Sequence, residues 1–363
     1  MKSIRHYNIH NLIKFQIVRD KYNDRFKDLN LPFSFFEVDN TTNPDIILNI
    51  GPFNPSNDEC YLIDHKYYIK ENYFYCKDSG GLANWEVEIK CFEKGNTIIN
   101  YNGFISGPES FLYPDLLPQD IFLRPILEYK LNKKGYYLVH CAGISNNNSG
   151  YLFTGRGSSY KSSLAMDLVR KYNYDLLGDD KVIVGENLDL FSFPVHLKAF
   201  EFKVSNMQDE NFRSSGKLQL KSIINFYKFL KNLKVNKDYK KNKISIIQSS
   251  KLKSLFFVNK TNYLNKVQVS ENPSLSKKLC LNNLSEIVKG HTFMFFDYGQ
   301  YFYKYVIAYS FIYPENSLKK HWHKSNMELG KFLGNTPIYE IFINKDYNDS
   351  ILNKVQDFIK EQE

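Results

Sequence analysis

Residues 151–164 read YLFTGRGSSYKSSL, a hydrophobic strand followed by a loop of small residues and then by a helix. A Lys-Ser pair, Lys161 and Ser162, stands where the helix begins. Backbone N–H groups of such a loop and of a helix N-terminus can converge on phosphate oxygens. Bulkier side chains would hinder this close approach of the backbone. The pattern predicts a phosphate-binding loop in which Lys161 neutralises the β- and γ-phosphates and Ser162 ligates Mg²⁺.

The loop departs from the P-loop pattern G-x-x-x-x-G-K-[ST] at its second glycine. Gly155, Lys161 and Ser162 satisfy the pattern, but Tyr160 occupies the position of that glycine. A side chain there costs about 1 kcal/mol if the position requires a positive φ. Taken alone, the stretch therefore leaves an ordinary strand-to-helix turn as the alternative to a nucleotide site. The predicted nucleotide-binding residues are Gly155, Arg156, Gly157, Ser158, Ser159, Tyr160, Lys161, Ser162 and Ser163.

Two carboxylates follow the next predicted strand. Residues 175–180 read DLLGDD, which places Asp179 and Asp180 directly after it. In a parallel β-α-β unit the carboxyl ends of consecutive strands lie on the same side, so both residues are expected to face Lys161. One carboxylate can then hold Mg²⁺ while the other accepts the proton of an attacking hydroxyl, with Asp180 and Ser162 as the metal ligands. Because adjacent strand residues point in opposite directions, a structural role for one of the two stays open.

A histidine lies near the end of the strand that precedes the loop. His140 is part of the predicted strand 136–144. A histidine in this place is either a hydrogen-bonded core residue or, where the strand order brings it beside the phosphates, a polar residue of the site. The sequence leaves both roles open, and His140 is a candidate catalytic residue together with Lys161, Asp179 and Asp180.

The hydrophobic pattern predicts an α/β protein with mixed β-structure. Residues 1–115 alternate apolar and polar positions between turn signals, which indicates an antiparallel, β-rich N-terminal region. Residues 116–363 are predicted as a nucleotide-binding domain. Its predicted helices are 118–131, 161–172 and 349–360, and its predicted strands are 136–144, 151–154, 174–177, 181–184, 189–193, 255–258, 266–269 and 337–343.

The positive charge is confined to one segment. The chain carries 48 Lys and Arg against 39 Asp and Glu, a net charge of +9. Residues 214–260 hold twelve Lys and one Asp, a local charge of +11, so the rest of the chain carries −2. We predict a basic insertion at 206–253, either a solvated surface, a lid over the nucleotide or a dock for an acidic peptide. Nucleic acid is disfavoured because arginine, the usual base-reading residue, is scarce there.

Composition excludes several other classes of protein. With 43% hydrophobic and 16% aromatic residues in 363, the chain is too apolar for a disordered protein. No apolar run approaches the roughly 18–20 residues of a membrane helix, and charges interrupt the N-terminus where a secretory signal needs an apolar stretch. The five cysteines are widely spaced, without a C-x-x-C pair. We therefore expect a reduced, cytoplasmic protein without a membrane segment, its oligomeric state left open.

The order of these motifs resembles a known family. Residues 135–200, with GYYLVHCAGIS, GYLFTGRGSSYKSSLAMDLV, YDLLGDDKVIV and FSFPVHLKAF, are similar to the kinase core of the HPr kinase/phosphorylase family, whose fold is related to the nucleotide-binding core of phosphoenolpyruvate carboxykinase. An Asp-Asp pair only one helix and one strand after the loop is the discriminating feature. The specific likeness covers about a fifth of the chain. More loosely, residues 336–343 and 349–360 resemble the closing elements of smaller relatives found beside peptide-modification enzymes.

The resemblance implies an ATP- and Mg²⁺-dependent serine kinase. It implies that Gly155, Gly157, Lys161 and Ser162 bind the nucleotide and metal, that the Asp pair supplies base and metal ligand, and that His140 lies near the transferred phosphoryl group. The protein HPr is not implied as the substrate, since another protein, a peptide or a small hydroxyl compound fits equally. Tyr160 and Ser158 leave a catalytically weak or inactive nucleotide- or peptide-binding module as the alternative, and a carboxykinase-like enzyme is less favoured.

Overall fold

The computed structural model divides into two compact units. It describes residues 2–19, 33–80, 83–105, 116–157, 159–194, 244–262, 266–269, 278, 299–321, 330, 333, 336–343 and 347–362. Unit 1 comprises residues 1–137 and 283–328, and unit 2 comprises residues 138–282 and 329–363. The predicted boundary at residue 115 falls within unit 1, which also takes in a later part of the chain.

Unit 1 is built on a nine-stranded sheet. The strands are β1 (Ser3–Ile9), β2 (Ile13–Arg19), β3 (Glu37–Val38), β4 (Ile46–Ile50), β5 (Tyr61–Ile63), β6 (Tyr67–Lys70), β7 (Tyr73–Gly80), β8 (Ala83–Lys90) and β9 (Thr97–Ile105). Their order is β3-β1-β2-β4-β9-β8-β7-β6-β5. The alternating pattern of β2, with Ile13, Phe15 and Ile17 buried, shows one face packed on the core.

The prediction of an antiparallel N-terminal sheet is wrong for two of its strand pairs. Strand β4 pairs in parallel with β2 on one side and with β9 on the other. Parallel neighbours need a long crossover rather than a tight turn. Strands β5 to β8 lie between β4 and β9 in the chain, so these hairpins form the long connection. The sheet is therefore mixed.

Helical residues cover part of this sheet. A short helix, Leu116–Pro118, leads into a π-helical stretch, Gln119–Leu123, and then into α1 (Arg124–Lys133). This agrees with the predicted helix at 118–131. A further helix, α3 (Gly299–Ile312), contacts β6 and the π-helical stretch. The hydroxyl of Tyr305 in α3 accepts a hydrogen bond from the Trp85 indole at 2.9 Å and donates to the Asp78 carboxylate at 3.1 Å.

Unit 2 holds the sheet that carries the predicted phosphate-binding loop. Its strands are β10 (Tyr136–Asn146), β11 (Ser149–Thr154), β12 (Asp175–Gly178), β13 (Lys181–Gly185), β14 (Asp189–Phe191), β15 (Ser249–Lys260), β16 (Lys266–Val269) and β17 (Ile338–Ile343). They follow the order β11-β10-β13-β14-β15-β17-β16, with β12 paired to β10. Strand β15 is also parallel to β11 and to β17, so it joins the loop strand to the C-terminal strands.

Two helices pack on this sheet, α2 (Lys161–Tyr172) and α4 (Asp349–Gln362). Their apolar faces form one buried cluster with Phe153 of β11 and Phe256 of β15, whose rings stack at 5.1 Å. The predicted helix 161–172 is confirmed. The predicted strands of this region are present with small shifts at their ends, except that β15 begins six residues before the predicted strand 255–258. The structure is a mixed α/β fold with large mixed sheets.

The basic insertion is described at its C-terminal end. Residues 249–253 of the predicted insertion belong to β15, whose residues 252–258 are buried except for Lys253. Residues 206–243 lie outside the described residues, and so does Ser158 of the loop.

Candidate functional site

Three strands bring the predicted motifs to one edge of the unit 2 sheet. Strand β10 pairs antiparallel with β11 on one side and with β12 on the other. The loop strand β11 and the acidic strand β12 therefore run parallel to each other with β10 between them. Their carboxyl ends lie at the same edge, which is where ligands bind in α/β sheets. His140 of β10 lies between these two ends, since its neighbour Cys141 pairs with Thr154 and donates its backbone N–H to the carbonyl of Asp180.

The loop leaves the sheet through a glycine that accepts no side chain. Gly155 has φ +151°, and a Cβ there would lie 2.4 Å from the carbonyl oxygen of Val258 in β15. The amide of Ser159 then donates to the carbonyl of Arg156 at 3.3 Å, which closes a tight turn. Ser159 is buried, whereas Arg156 and Gly157 are exposed at the tip. Close packing against β15 thus sets where the loop begins.

Because Gly155 lies so close to Val258, alanine substitutions at Gly155 and Gly157 are expected to change the free energy of unfolding by different amounts. Gly155→Ala is expected to lower the free energy of unfolding by about 2–3 kcal/mol, since a strained φ and a contact with Val258 both oppose the methyl group. Gly157→Ala meets no heavy atom within 4 Å and is the matched control, with an expected change below about 1 kcal/mol. Urea unfolding of the full chain measures both, and equal changes would contradict the assignment.

Tyr160, at the position of the second P-loop glycine, adopts the left-handed conformation, which glycine reaches without a steric penalty. Its φ and ψ are 68° and 9°, a region that costs a non-glycine residue about 1 kcal/mol or more. Its carbonyl accepts the first hydrogen bond of α2, from the amide of Leu164 at 2.8 Å. The aromatic ring packs against the apolar cluster of unit 2 and stacks on Tyr347. Although tyrosine replaces glycine here, the backbone at residue 160 has a conformation that glycine adopts readily.

Lys161 and Ser162 open helix α2 beside the acidic pair. Lys161 is buried, with 7% of its surface exposed. The Ser162 hydroxyl donates to the backbone carbonyl of Asp179 at 2.8 Å, which ties the helix start to the end of β12. Ser163, the next residue, is half-buried. The predicted approach of this helix start to Asp179 is therefore present in the structure.

The acidic pair sits in a sharp bend between β12 and β13. Asp179 and Asp180 are 4% and 7% exposed, so both carboxylates are largely removed from bulk water. A Cβ on Gly178 would lie 2.2 Å from the carbonyl of Lys181, so the bend requires glycine. On the other side of the bend, the amide of Cys141 donates to the carbonyl of Asp180 at 3.2 Å. The backbone of β10 thereby fixes the position of the pair.

The charges of Lys161 and Asp180 both act on the buried Cys141 thiol, and His140 lies beside Asp180. The Nδ1 atom of His140 lies 3.8 Å from Oδ1 of Asp180, and His140 is 5% exposed. Burial raises the pKa of the Cys141 thiol, the charge of Lys161 lowers it and the charge of Asp180 raises it. Lys161 and Asp180 therefore both act on the same buried group. Asp179, the remaining predicted catalytic residue, is tied to the start of α2 by the hydrogen bond that its backbone carbonyl accepts from Ser162.

The site contains residues that the sequence did not single out. The hydroxyl of Tyr347 donates to the Asp167 carboxylate at 2.9 Å, and the ammonium group of Lys260 lies 5.4 Å from the centre of the Tyr160 ring. These residues come from α2, from the end of β15 and from the segment before α4. Lys260 ends the Lys-rich stretch 214–260, but no local pattern places it or the other two beside the loop, because their proximity arises from strand order and helix packing.

The oxygen donors present fit a magnesium ion better than a softer metal. Mg²⁺ prefers carboxylate and hydroxyl oxygens and keeps several waters, so few protein ligands suffice. The Ser162 hydroxyl retains oxygen lone pairs after donating its proton, and the Asp180 carboxylate is the second predicted ligand. Within the described residues, His, Cys, Asp and Glu form no group of three or more that could hold a metal ion.

Comparison of the chain with protein-family models and with curated proteins finds no match. Among the helices that the structure describes, none has both the length and the hydropathy needed to cross a membrane.

Proposed function

We propose that this protein is an ATP- and Mg²⁺-dependent kinase that transfers the γ-phosphoryl group to a hydroxyl, a serine of a protein or peptide. The observation that carries the proposal is the hydrogen bond from Ser162 to the carbonyl of Asp179, which joins the start of α2 to the acidic bend. Lys161 and Asp180 are both buried, and the charges of both act on the Cys141 thiol. Phosphoryl transfer needs this combination of a phosphate cradle, a cation and carboxylates.

Each residue of the site has a part in this reaction. The amides of the loop and of the α2 N-terminus donate to the phosphate oxygens, and Lys161 balances the charge on the β- and γ-phosphates. Asp180 and Ser162 would hold Mg²⁺, which when bound would neutralise phosphate charge. Asp179 accepts the proton of the acceptor hydroxyl. The hydroxyl oxygen forms a bond to the γ-phosphorus as the bond between the γ-phosphorus and the β,γ-bridging oxygen breaks, which releases ADP. His140 lies beside Asp180, with its Nδ1 atom 3.8 Å from Oδ1 of that carboxylate.

A non-catalytic module is the second candidate function, and Tyr160 is the observation that favours it. A tyrosine at the second glycine position departs from the P-loop pattern, and this departure is what favours a module without catalysis. Against it, the Tyr160 ring packs on Tyr347, and the backbone keeps the left-handed conformation. The kinase is preferred because Lys161, Ser162 and both aspartates are present together.

Calorimetric titration of the full chain with Mg-ATP tests the proposal. Binding in the micromolar to millimolar range is expected, since the site offers a cradle of amides and one buried lysine for three phosphates. Absence of binding at millimolar Mg-ATP would overturn the kinase. Incubation with γ-labelled ATP and a lysate then separates the remaining alternatives: label on serine of a protein supports the kinase, label in small molecules supports a metabolite kinase, and binding without transfer supports the module.

A further inference from the structure

Residues from outside the loop hold the ring of Tyr160. The ring lies parallel to that of Tyr347, with centroids 5.5 Å apart and planes inclined by 17°. The ammonium group of Lys260, at the end of β15, lies 5.4 Å from the centre of the Tyr160 ring. Stacked aromatic pairs and cation–π contacts both favour one fixed ring position. The loop residue is thus fixed by the C-terminal part of unit 2.

Tyr347 is itself fixed to α2. Its hydroxyl donates to Oδ2 of Asp167 at 2.9 Å. Burial and the charge of Asp167 raise the pKa of Tyr347, so the hydroxyl keeps the proton that it donates. Asp167 lies seven residues after Tyr160, which is about two helical turns. Tyr347 therefore contacts the N-terminus of α2 through one residue and the middle of the same helix through another.

We call Tyr347, Tyr160 and Asp167 together the bracket. Its contacts stabilise the left-handed conformation at residue 160. Residue 160 stands in the left-handed conformation directly before α2, and its carbonyl accepts the bond from Leu164. Glycine adopts that conformation freely, whereas tyrosine needs compensating contacts to stay in it. The stacked ring of Tyr347 provides such a contact, and its hydrogen bond to Asp167 keeps the ring in place.

We infer that Tyr347 is a positioning residue of the phosphate-binding loop: its stack on Tyr160 and its hydrogen bond to Asp167 maintain the backbone conformation that a glycine provides in the P-loop pattern. The ligand-binding consequence rests on the proposed function. The conformational consequence does not, because it concerns the start of α2 with or without nucleotide.

The test is a double-mutant cycle of Tyr347 and Tyr160. Tyr347→Ala is expected to weaken Mg-ATP binding roughly tenfold, the factor that corresponds to the cost of the left-handed conformation for a non-glycine residue. Adding Tyr160→Gly to Tyr347→Ala should bring the affinity to that of Tyr160→Gly alone, because glycine adopts the left-handed conformation without the stacked ring. Calorimetry is done well below the unfolding temperature of each variant. A loss that Tyr160→Gly does not rescue would overturn the inference.

Two control variants separate positioning from general packing. Tyr172→Phe removes a hydrogen bond of 2.5 Å to Asn353, which also links α2 to α4 but at the far end of α2. Its Mg-ATP affinity should equal that of the wild type. Tyr347→Phe keeps the stack and loses the bond to Asp167, so an affinity between wild type and Tyr347→Ala is expected. An effect of Tyr172→Phe as large as that of Tyr347→Ala would contradict a role specific to the loop.

Hydrogen exchange at Leu164 supplies a readout that needs no ligand. This amide donates to the carbonyl of Tyr160, so its exchange reports whether residue 160 stays in place. Exchange should be faster in Tyr347→Ala and return to the wild-type rate when Tyr160→Gly is added. If the wild type does not bind Mg-ATP, the proposed kinase function is excluded. The exchange experiment still tests whether Tyr347 holds residue 160 in its conformation. Unchanged exchange in Tyr347→Ala overturns the bracket whatever the nucleotide result.

Discussion

Lys161→Ala is expected to abolish phosphoryl transfer. Lys161 is the buried cation of the site, and removing it leaves the phosphate charge of the transition state without its fixed counter-charge. We expect kcat/KM to fall by at least about 10³-fold, which corresponds to about 4 kcal/mol of transition-state stabilisation. Transfer of label from γ-labelled ATP to the acceptor protein measures the loss.

Two further lysine variants make this result specific. Lys161→Met keeps most of the buried volume and should be as inactive as Lys161→Ala, which separates loss of charge from loss of packing. Lys171→Ala is the matched control, because Lys171 lies on the same helix but is exposed and pairs with Asp349 at 2.6 Å. Its transfer rate should stay near that of the wild type, since exposed pairs contribute little. A Lys161→Ala protein that transfers phosphate at the wild-type rate would exclude the proposed mechanism.

The region around the loop could be predicted because its signals are local. A strand of apolar residues, a run of small residues and an amphipathic pattern from Lys161 to Tyr172 each depend on near neighbours in the chain. The expected approach of the acidic pair to the helix start followed from the handedness rule for parallel strands. What the rule did not provide is that β10 lies between β11 and β12. His140 is placed in the site by that intervening strand.

Other parts of the fold had no local signal. Helix α3 (Gly299–Ile312) reads GQYFYKYVIAYSFI, rich in aromatic and β-branched residues that favour strands. Its helical form is supported by tertiary contacts of Tyr305 and Tyr309, whose hydroxyls bond to Asp78 and Glu93. The parallel pairing of β4 likewise depends on residues distant in sequence. Tyr347 belongs to the same class, since nothing near it in the chain indicates a role beside the loop.

The two aspartates are expected to fail in different ways. Asp180→Asn removes a proposed metal ligand, so the Mg²⁺ concentration that gives half-maximal rate should rise about tenfold or more, together with a lower kcat. Asp179→Asn removes the proposed proton acceptor, so kcat should fall by about 10²–10⁴-fold while Mg-ATP affinity and Mg²⁺ dependence stay near those of the wild type. Asparagine preserves the shape of each side chain, which limits effects on the bend.

Measuring kcat and the Mg²⁺ dependence of both variants distinguishes a metal ligand from a proton acceptor, because loss of either role lowers the activity. Asp175→Asn is the matched control, because Asp175 begins the strand that Asp179 follows and pairs with Ser145 at the opposite end of β12. It should change neither kcat nor the Mg²⁺ dependence. If Asp179→Asn shifts the Mg²⁺ dependence and Asp180→Asn does not, the two assignments are exchanged. If both variants keep the wild-type kcat, neither carboxylate takes part in transfer, and the buried bend beside Lys161 is a structural feature of a binding module.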